Sequence, residues 1–212
     1  MKKGIIFDMD GTLWDSAEGV AKSWTEVVNE EYDRARVITT RDIQNVMGRT
    51  MDKIAEVIFP NLGEEARLEL MGHCCKYENE YLREHGGILF PQLEETLKIL
   101  KEKYHLYIVS NCQSGYIEAF LEHYGFGHYF DDIECYGNNL LSKGENIRLL
   151  VERNGVTDAV YVGDIQGDYD ATMEAGITFV HAAYGFGTIE QETAKINSFA
   201  ELPKVAAEIL GE

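Results

Sequence analysis

The sequence predicts an α/β fold: a parallel, Rossmann-like sheet core with an inserted α-helical cap domain. From about residue 87 onward, short apolar runs alternate with stretches of helical spacing, which is typical of a parallel sheet with helices on both faces. Between about residues 17 and 85, helical spacing continues without a convincing strand, over an interval far longer than a normal crossover. We therefore predict an α/β core formed by residues 1–15 and 87–212 and a helical cap formed by residues 16–86.

Five apolar runs are predicted to be the strands of the sheet. The first, at residues 5–7, is rich in isoleucine and phenylalanine and ends abruptly at two carboxylates. The others lie at residues 106–109, 133–136, 159–162 and 178–182, and the run at 133–136 is the weakest. Their alternation with helical stripes predicts that the strands are parallel.

The breakers in the cap segment predict four helices. Thr40 is predicted to cap the short second helix, which Gly48 stops, while Pro60 ends the third and the fourth follows Gly63. In the core, helical stripes separate the strands, and a final helix is predicted over residues 203–210.

The charge balance restricts the class of partner. The chain has 212 residues, of which 19 are basic and 37 acidic, so its net charge is −18. This excess of acid argues against binding to nucleic acid or to a membrane surface. A small phosphorylated metabolite remains compatible with it, because a bound divalent cation changes the local sign of the charge.

The cysteines predict a reducing compartment. There are four of them and none forms a Cys-x-x-Cys pair, so we predict buried, reduced thiols and a cytoplasmic protein. The apolar run after Met1-Lys2-Lys3 is interrupted at Asp8, so neither a targeting segment nor a membrane span is predicted.

Two carboxylates stand at the end of the first strand. Asp8 and Asp10 are two residues apart, so an extended backbone projects both to one face. Burying like charges is costly unless a cation or a proton offsets their repulsion. A calcium loop of the EF-hand type is excluded, because its sixth and twelfth positions hold Leu13 and Gly19 instead of Gly and Glu. The pair therefore indicates a hard metal, a nucleophile or both.

Other polar residues follow or flank the remaining strands. Ser110-Asn111 ends the second strand, Asp164 ends the fourth with Asp168 four residues later, and Lys143 begins the helix between the third and fourth strands. In such sheets, ligands bind at the carboxyl ends of the strands. This edge is therefore predicted to gather carboxylates, which suit Mg²⁺, and a hydroxyl, amides and an ammonium group, which suit a phosphoryl group.

These motifs resemble those of the haloacid dehalogenase-like hydrolase superfamily, in particular the phosphoglycolate phosphatase and β-phosphoglucomutase group, whose helical cap has the same position. The matching segments are Asp-Met-Asp-Gly-Thr-Leu at 8–13, Ile-Val-Ser-Asn at 108–111, Lys143, and Val-Gly-Asp-Ile-Gln-Gly-Asp at 162–168. The third motif departs from the family, which often has Lys-Pro where this chain reads Ser-Lys-Gly-Glu. The resemblance covers essentially the whole chain.

The resemblance implies a hydrolase, namely a Mg²⁺-dependent phosphatase that acts on a small phosphomonoester through an aspartyl-phosphate. Asp8 is then the nucleophile, and Asp10 is the general acid and later the general base. Asp8, Asp10 and Asp164 are the implied metal ligands, with Asp10 contributing its backbone carbonyl.

The same resemblance implies how the phosphoryl group is held. Lys143 is the third implied catalytic residue, and together with Ser110 and the amide of Asn111 it holds the transferring oxygens. Thr12 is assigned to substrate binding with them. Asp168 is implied to orient Lys143 or a metal-bound water from behind.

Several alternatives stay open at this point. Arg49, between two cap helices, is interpreted either as a contact to a second anionic group of the substrate or as a solvated arginine. Gly185-Phe186-Gly187 is interpreted as a loop near the rim of the site. A phosphomutase of the β-phosphoglucomutase kind shares every motif, and a phosphoacceptor module without turnover uses similar residues. Both a monomer and a homodimer remain possible.

Overall fold

The computed structural model describes residues 1–211. Two sheets are formed within this range. The strands are β1 (Lys3–Phe7), β2 (Trp14–Asp15), β3 (Ile88–Leu89), β4 (His105–Ser110), β5 (Asp132–Cys135), β6 (Asp158–Gly163), β7 (Thr178–Ala182) and β8 (Ala194–Ile196).

The main sheet has six strands in the order β5-β4-β1-β6-β7-β8, and every pairing in it is parallel. Strand β1 lies at the centre, with Phe7 opposite Ile108 on one side and Val162 on the other. The α/β class with a parallel, Rossmann-like sheet is confirmed. All five predicted strands are present, and the weak run at 133–136 forms β5, one residue earlier than predicted.

Helices separate the strands and cover both faces of the sheet. The α-helices are α1 (Ala17–Glu31), α2 (Thr40–Gln44), α3 (Met51–Ile58), α4 (Glu64–His85), α5 (Leu93–Lys101), α6 (Tyr116–Tyr124), α7 (Tyr136–Asn139), α8 (Lys143–Asn154), α9 (Gln166–Ala175) and α10 (Leu202–Leu210). Short 3-10 helices lie at Phe126–Tyr129 and Phe199–Glu201. None of the helices at residues 1–211 combines the length and the apolar character that crossing a membrane requires.

The four helices α1–α4 lie between β2 and β3, and no strand interrupts them between residues 17 and 85. Strands β2 and β3 pair antiparallel, with Trp14 opposite Leu89, so the chain leaves and re-enters the core side by side. The domain boundaries at 1–15, 16–86 and 87–212 stay predictions.

Alternating side chains of the central strands belong to two different apolar clusters. Ile5 and Phe7 belong to the cluster that extends into the helical segment, whereas Ile6 packs with Tyr107 and Tyr161 on the opposite face. Burial on both faces explains why the strands read as continuous apolar runs.

Three local features differ from the prediction or add to it. Thr39, and not Thr40, is the N-cap of α2, where it forms a capping box with Asp42. Strand β8 was not predicted, because it has only three residues and carries a lysine at its centre. The two-residue strands β2 and β3 are likewise too short to show a period.

Candidate active site

Three neighbouring strands bring their carboxyl ends to one edge of the sheet. Asp8 follows β1, Ser110 ends β4, and Asp164 follows β6. All three residues are buried. The parallel register therefore places together the residues that the sequence analysis predicted to converge.

Lys143 is the first residue of α8 and reaches this edge from the side. Ser142 and Glu145 form a capping box that fixes the start of the helix, which accounts for the Ser-Lys-Gly-Glu sequence. The Nζ atom of Lys143 donates to Asp8 Oδ1 at 3.0 Å and to Asp168 Oδ1 at 2.6 Å. Only 4% of the lysine is exposed, so this ion pair lies out of water.

The buried charges shift one another's ionisation. Burial and the nearby Asp168 raise the pKa of Asp8 to about 6, although Lys143 opposes this shift. Burial alone would lower the pKa of Lys143, but the carboxylates of Asp168 and Asp8 outweigh it and hold that pKa well above its usual range. The lysine therefore stays charged, and its ammonium group favours an ionised Asp8.

Asp8, Asp164 and Asp168 form a carboxylate cluster whose ligand atoms lie within 4.8 Å of one another. Asp164 Oδ2 accepts the backbone N–H of Phe186 at 2.7 Å, while its Oδ1 is buried and has no hydrogen-bond partner among the described residues. Burial and the two neighbouring carboxyls raise the pKa of Asp164 well above its usual range. An orphaned carboxylate oxygen among further carboxylates fits a hard cation such as Mg²⁺.

The carboxyl group of Asp10 lies outside this cluster. Its Oδ1 accepts hydrogen bonds from Ser16 Oγ and Tyr116 Oη, each at 2.7 Å, and the two hydroxyl oxygens also lie 2.7 Å apart. Burial raises the pKa of Asp10 to about 7, against the lowering effect of both hydroxyls. Asp10 can therefore gain and lose a proton near neutral pH, which suits a general acid and base.

Gly11 allows the turn between these two acids and the rest of the chain. Its φ angle is +81°, and a Cβ atom there would lie 2.2 Å from Asp164 Oδ2. Any other residue would be strained and would displace Asp164.

A cavity opens beside Asp8 and Asp10, between the strand ends and the helical segment. Ser110, Asn111 and the exposed Arg49 line it, and their contacts with a substrate stay predictions. Thr12 does not line it: this residue is completely buried, its hydroxyl has no partner among the described residues, and its substrate contact stays a prediction.

Asn111 also connects the two sides of the cavity. Its side-chain Nδ2 donates to the backbone carbonyl of Gly48 at 2.9 Å, which ties the carboxyl end of β4 to the loop that carries Arg49. The predicted phosphoryl contact uses the backbone amide of Asn111, so the side chain is free for this second task.

Four residues of the site were not recognised in the sequence. Ser16 and Tyr116 were read as a helix start and a helix face, which they also are. Phe186 lies in the loop predicted to be near the rim, but the contact of its amide with Asp164 has no sequence signal. Glu78 lines the cavity from α4, where its place in a polar helix concealed it.

A model of the haloacid dehalogenase-like hydrolase family matches residues 5–182. A phosphoglycolate phosphatase from Vibrio vulnificus (strain YJ016) is 28% identical over 214 residues, which covers 93% of this chain and 90% of that protein. A haloacid dehalogenase-like family hydrolase from Streptococcus pneumoniae has a similar structure, with a TM-score of 0.81 at 22% identity over 96% of this chain and 97% of that chain.

A further structural neighbour is a mutant of CbbY from Rhodobacter sphaeroides, solved in complex with xylulose 1,5-bisphosphate. Its TM-score is 0.77 at 18% identity, over 95% of this chain and 96% of that chain. The structural likeness extends over nearly the whole chain, and the family match spans the strand ends that carry Asp8, Ser110 and Asp164. The protein is therefore an enzyme of the haloacid dehalogenase-like hydrolase family.

Proposed function

We propose that the protein is a Mg²⁺-dependent phosphatase that hydrolyses a small phosphomonoester through an aspartyl-phosphate on Asp8. The helical segment at residues 16–86 acts as a cap over the core formed by residues 1–15 and 87–212. The observation that carries the proposal is the position of Asp8: its carboxylate is buried, pairs with Lys143, belongs to the carboxylate cluster and also lines the cavity.

The reaction has two steps. In the first, a carboxylate oxygen of Asp8 attacks phosphorus, the bond from phosphorus to the ester oxygen breaks, and Asp10 gives its proton to the leaving alkoxide. In the second, water attacks the aspartyl-phosphate, Asp10 takes a proton from that water, and phosphate leaves while the Asp8 carboxylate is restored. A pKa of about 7 allows Asp10 to serve in both steps.

The carboxylates of Asp8 and Asp164, with the backbone carbonyl of Asp10, would hold Mg²⁺, and Asp168 borders the same cluster. When bound, the cation neutralises phosphoryl charge that would otherwise repel the attacking carboxylate. Asp168 accepts the backbone N–H groups of Asp164 and Ile165 at 3.0 and 3.2 Å and pairs with Lys143, so it positions both sides of the site.

The phosphoryl oxygens are held by the remaining polar groups of the strand ends. Ser110, the amide of Asn111 and the ammonium group of Lys143 supply donors, and Thr12 is proposed to join them. The curated relatives named phosphoglycolate phosphatase support a small phosphomonoester as the substrate class.

The test is release of phosphate from p-nitrophenyl phosphate and from a panel of small phosphomonoesters, with and without Mg²⁺. We expect release with Mg²⁺, and its loss in Asp8→Asn. Asp158→Asn is the matched control, because Asp158 is exposed at the opposite end of the neighbouring strand β6. Persistent turnover in Asp8→Asn would contradict the proposal.

A further inference from the structure

The helical segment gives the cavity an apolar wall. Val20 and Trp24 of α1, Ile43 of α2, Val46, and Ile54 of α3 line the side that faces Asp8 and Asp10. A substrate whose phosphoryl group lies at Asp8 therefore has its leaving group in largely hydrophobic surroundings.

Only two ionisable side chains among the described residues interrupt this wall, Arg49 and Glu78. Arg49 is exposed, whereas Glu78 is only 3% exposed. Water screens the guanidinium group of Arg49 but not the carboxyl group of Glu78, so the buried acid has the stronger influence on a bound leaving group.

Glu78 is held in place by neutral donors. Its Oε2 accepts a hydrogen bond from Trp24 Nε1, and its Oε1 accepts one from Gln113 Nε2 at 3.0 Å. Gln113 lies three residues after Ser110, so these contacts tie Glu78 to the strand end of the phosphoryl site.

The carboxyl group retains unused capacity. A carboxylate offers about four acceptor positions, of which Trp24 and Gln113 fill two, and none of the groups that shift its pKa is a cation. Burial raises the pKa of Glu78 to about 8, although both hydrogen bonds oppose this shift, so the carboxyl group is ionised above that pH or when a positive charge lies beside it. A buried acid with vacant acceptor positions and no cation suits a ligand that supplies a donor or a positive charge.

We infer that Glu78 selects the leaving group, and that the substrate is a phosphomonoester whose alcohol part is small, largely apolar and bears a hydrogen-bond donor, an ammonium or a hydroxyl group, and no carboxylate. This inference rests on the proposed function and narrows its substrate class. A carboxylate in the cavity meets a second buried carboxyl and an apolar wall, and the exposed Arg49 compensates for this only weakly.

The decisive experiment compares four phosphomonoesters of nearly equal size: O-phosphoethanolamine, ethylene glycol monophosphate, ethyl phosphate and phosphoglycolate. For the unaltered protein with Mg²⁺, at a pH above the pKa of about 8 where Glu78 is ionised, we expect kcat/KM for the ammonium and hydroxyl compounds to exceed that for phosphoglycolate by roughly tenfold or more. Preference for phosphoglycolate overturns the inference and leaves the phosphatase proposal standing.

Glu78→Gln separates charge from hydrogen bonding. The neutral amide still accepts from a hydroxyl but no longer attracts a cation, so the advantage of O-phosphoethanolamine and the penalty on phosphoglycolate both shrink, while ethylene glycol monophosphate keeps its advantage over ethyl phosphate. Glu80→Gln is the control, because Glu80 is exposed on the same helix α4 and does not line the cavity.

The outcomes separate the two proposals. If Glu78→Gln changes all four values by the same factor, Glu78 has only a structural role and the inference fails. Absence of phosphate release from every compound, including p-nitrophenyl phosphate, overturns the phosphatase proposal and this inference with it. The comparison of the four compounds on the unaltered protein tests the inference even if the variant does not fold.

Discussion

Asp8 and Asp10 show how two carboxylates separated by one residue acquire different properties. Asp8 lies against the ammonium group of Lys143, whereas Asp10 accepts only the hydroxyls of Ser16 and Tyr116. A full positive charge favours the ionised form far more than neutral donors do. These different partners suit the roles proposed for the two residues, Asp8 as the nucleophile and Asp10 as the proton carrier.

Tyr116→Phe is expected to shift the pH dependence of the reaction. The Tyr116 hydroxyl lowers the pKa of Asp10, so its loss moves that pKa above about 7. The first step needs Asp10 protonated, so kcat/KM falls above this pKa, and the descending limb of the pH profile moves to higher pH in the variant.

Phosphate release measured between acidic and alkaline pH tests this shift. Tyr129→Phe is the control, because the Tyr129 hydroxyl bonds to Glu94, away from the carboxylates. A lowered rate with an unchanged limb would show that Tyr116 does not set the ionisation of Asp10.

The site residues that were predicted and those that were missed differ in the signal that each has in the sequence. Asp8, Asp164 and Lys143 were recognised because each stands at the end of a strand or the start of a helix, and parallel strands bring such positions together. Ser16 and Tyr116 are 100 residues apart and each fulfils a local helical role, so nothing in the sequence joins them.

At the scale of elements, helix α4 carries a residue, Glu78, whose burial is unfavourable for stability. It has 22 residues and a mostly polar sequence, yet it buries the carboxyl group of Glu78. None of the groups near that carboxyl is a cation: they are Trp24, Gln113, Asp10, Tyr116 and the thiols of Cys74 and Cys75 on the same helix. A buried acid that lowers stability and lines a cavity is typical of a trade-off between stability and function.

Glu78→Gln is expected to change how stability depends on pH. The folded protein raises this pKa from 4.5 to about 8, so the folded state binds more protons than the unfolded state between these values, and stability falls as pH rises through this window. The amide variant does not titrate and escapes this loss. The difference between its free energy of unfolding and that of the unaltered protein therefore changes in favour of the variant from pH 5 to pH 8.

Urea unfolding at several pH values measures this difference. A pH-independent offset is expected as well, because the amide cannot accept from both Trp24 and Gln113. Glu80→Gln should run parallel to the unaltered protein, and an equally parallel curve for Glu78→Gln would show that Glu78 does not ionise differently on folding.

Secondary structure was predictable where burial imposes either a continuous apolar run or a helical period. Strand β7 was predicted at residues 178–182, which are its bounds, because its apolar residues are enclosed on both faces. Strand β8 and the pair β2–β3 are held by tertiary position rather than by composition, so their sequences show no period.

At the scale of the whole molecule, the carboxylate cluster exists only when the chain is folded. Asp8 follows β1, whereas Asp164 and Asp168 lie more than 150 residues later and reach it through the β1–β6 pairing. A cation that binds this cluster therefore stabilises the native state alone. At about 100 times its Kd the gain is about 2.7 kcal/mol, with roughly 2–4 °C in Tm per kcal/mol for a chain of this size.

Thermal unfolding with and without Mg²⁺ tests the metal site independently of activity. We expect Mg²⁺ to raise the Tm of the unaltered protein and of Asp158→Asn, and the effect to be lost in Asp164→Asn. An equal rise in Asp164→Asn would place the bound cation elsewhere.

The short antiparallel pair β2–β3 has a consequence for how the enzyme can change. Trp14 and Asp15 lie opposite Leu89 and Ile88, so all four helices between them form, in topological terms, the loop of a single hairpin. Insertions, deletions or exchanges within such a loop leave its two stems in register. Under the proposed function, replacing this loop would let the enzyme accept a different leaving group, while the carboxylates at the sheet edge keep their positions.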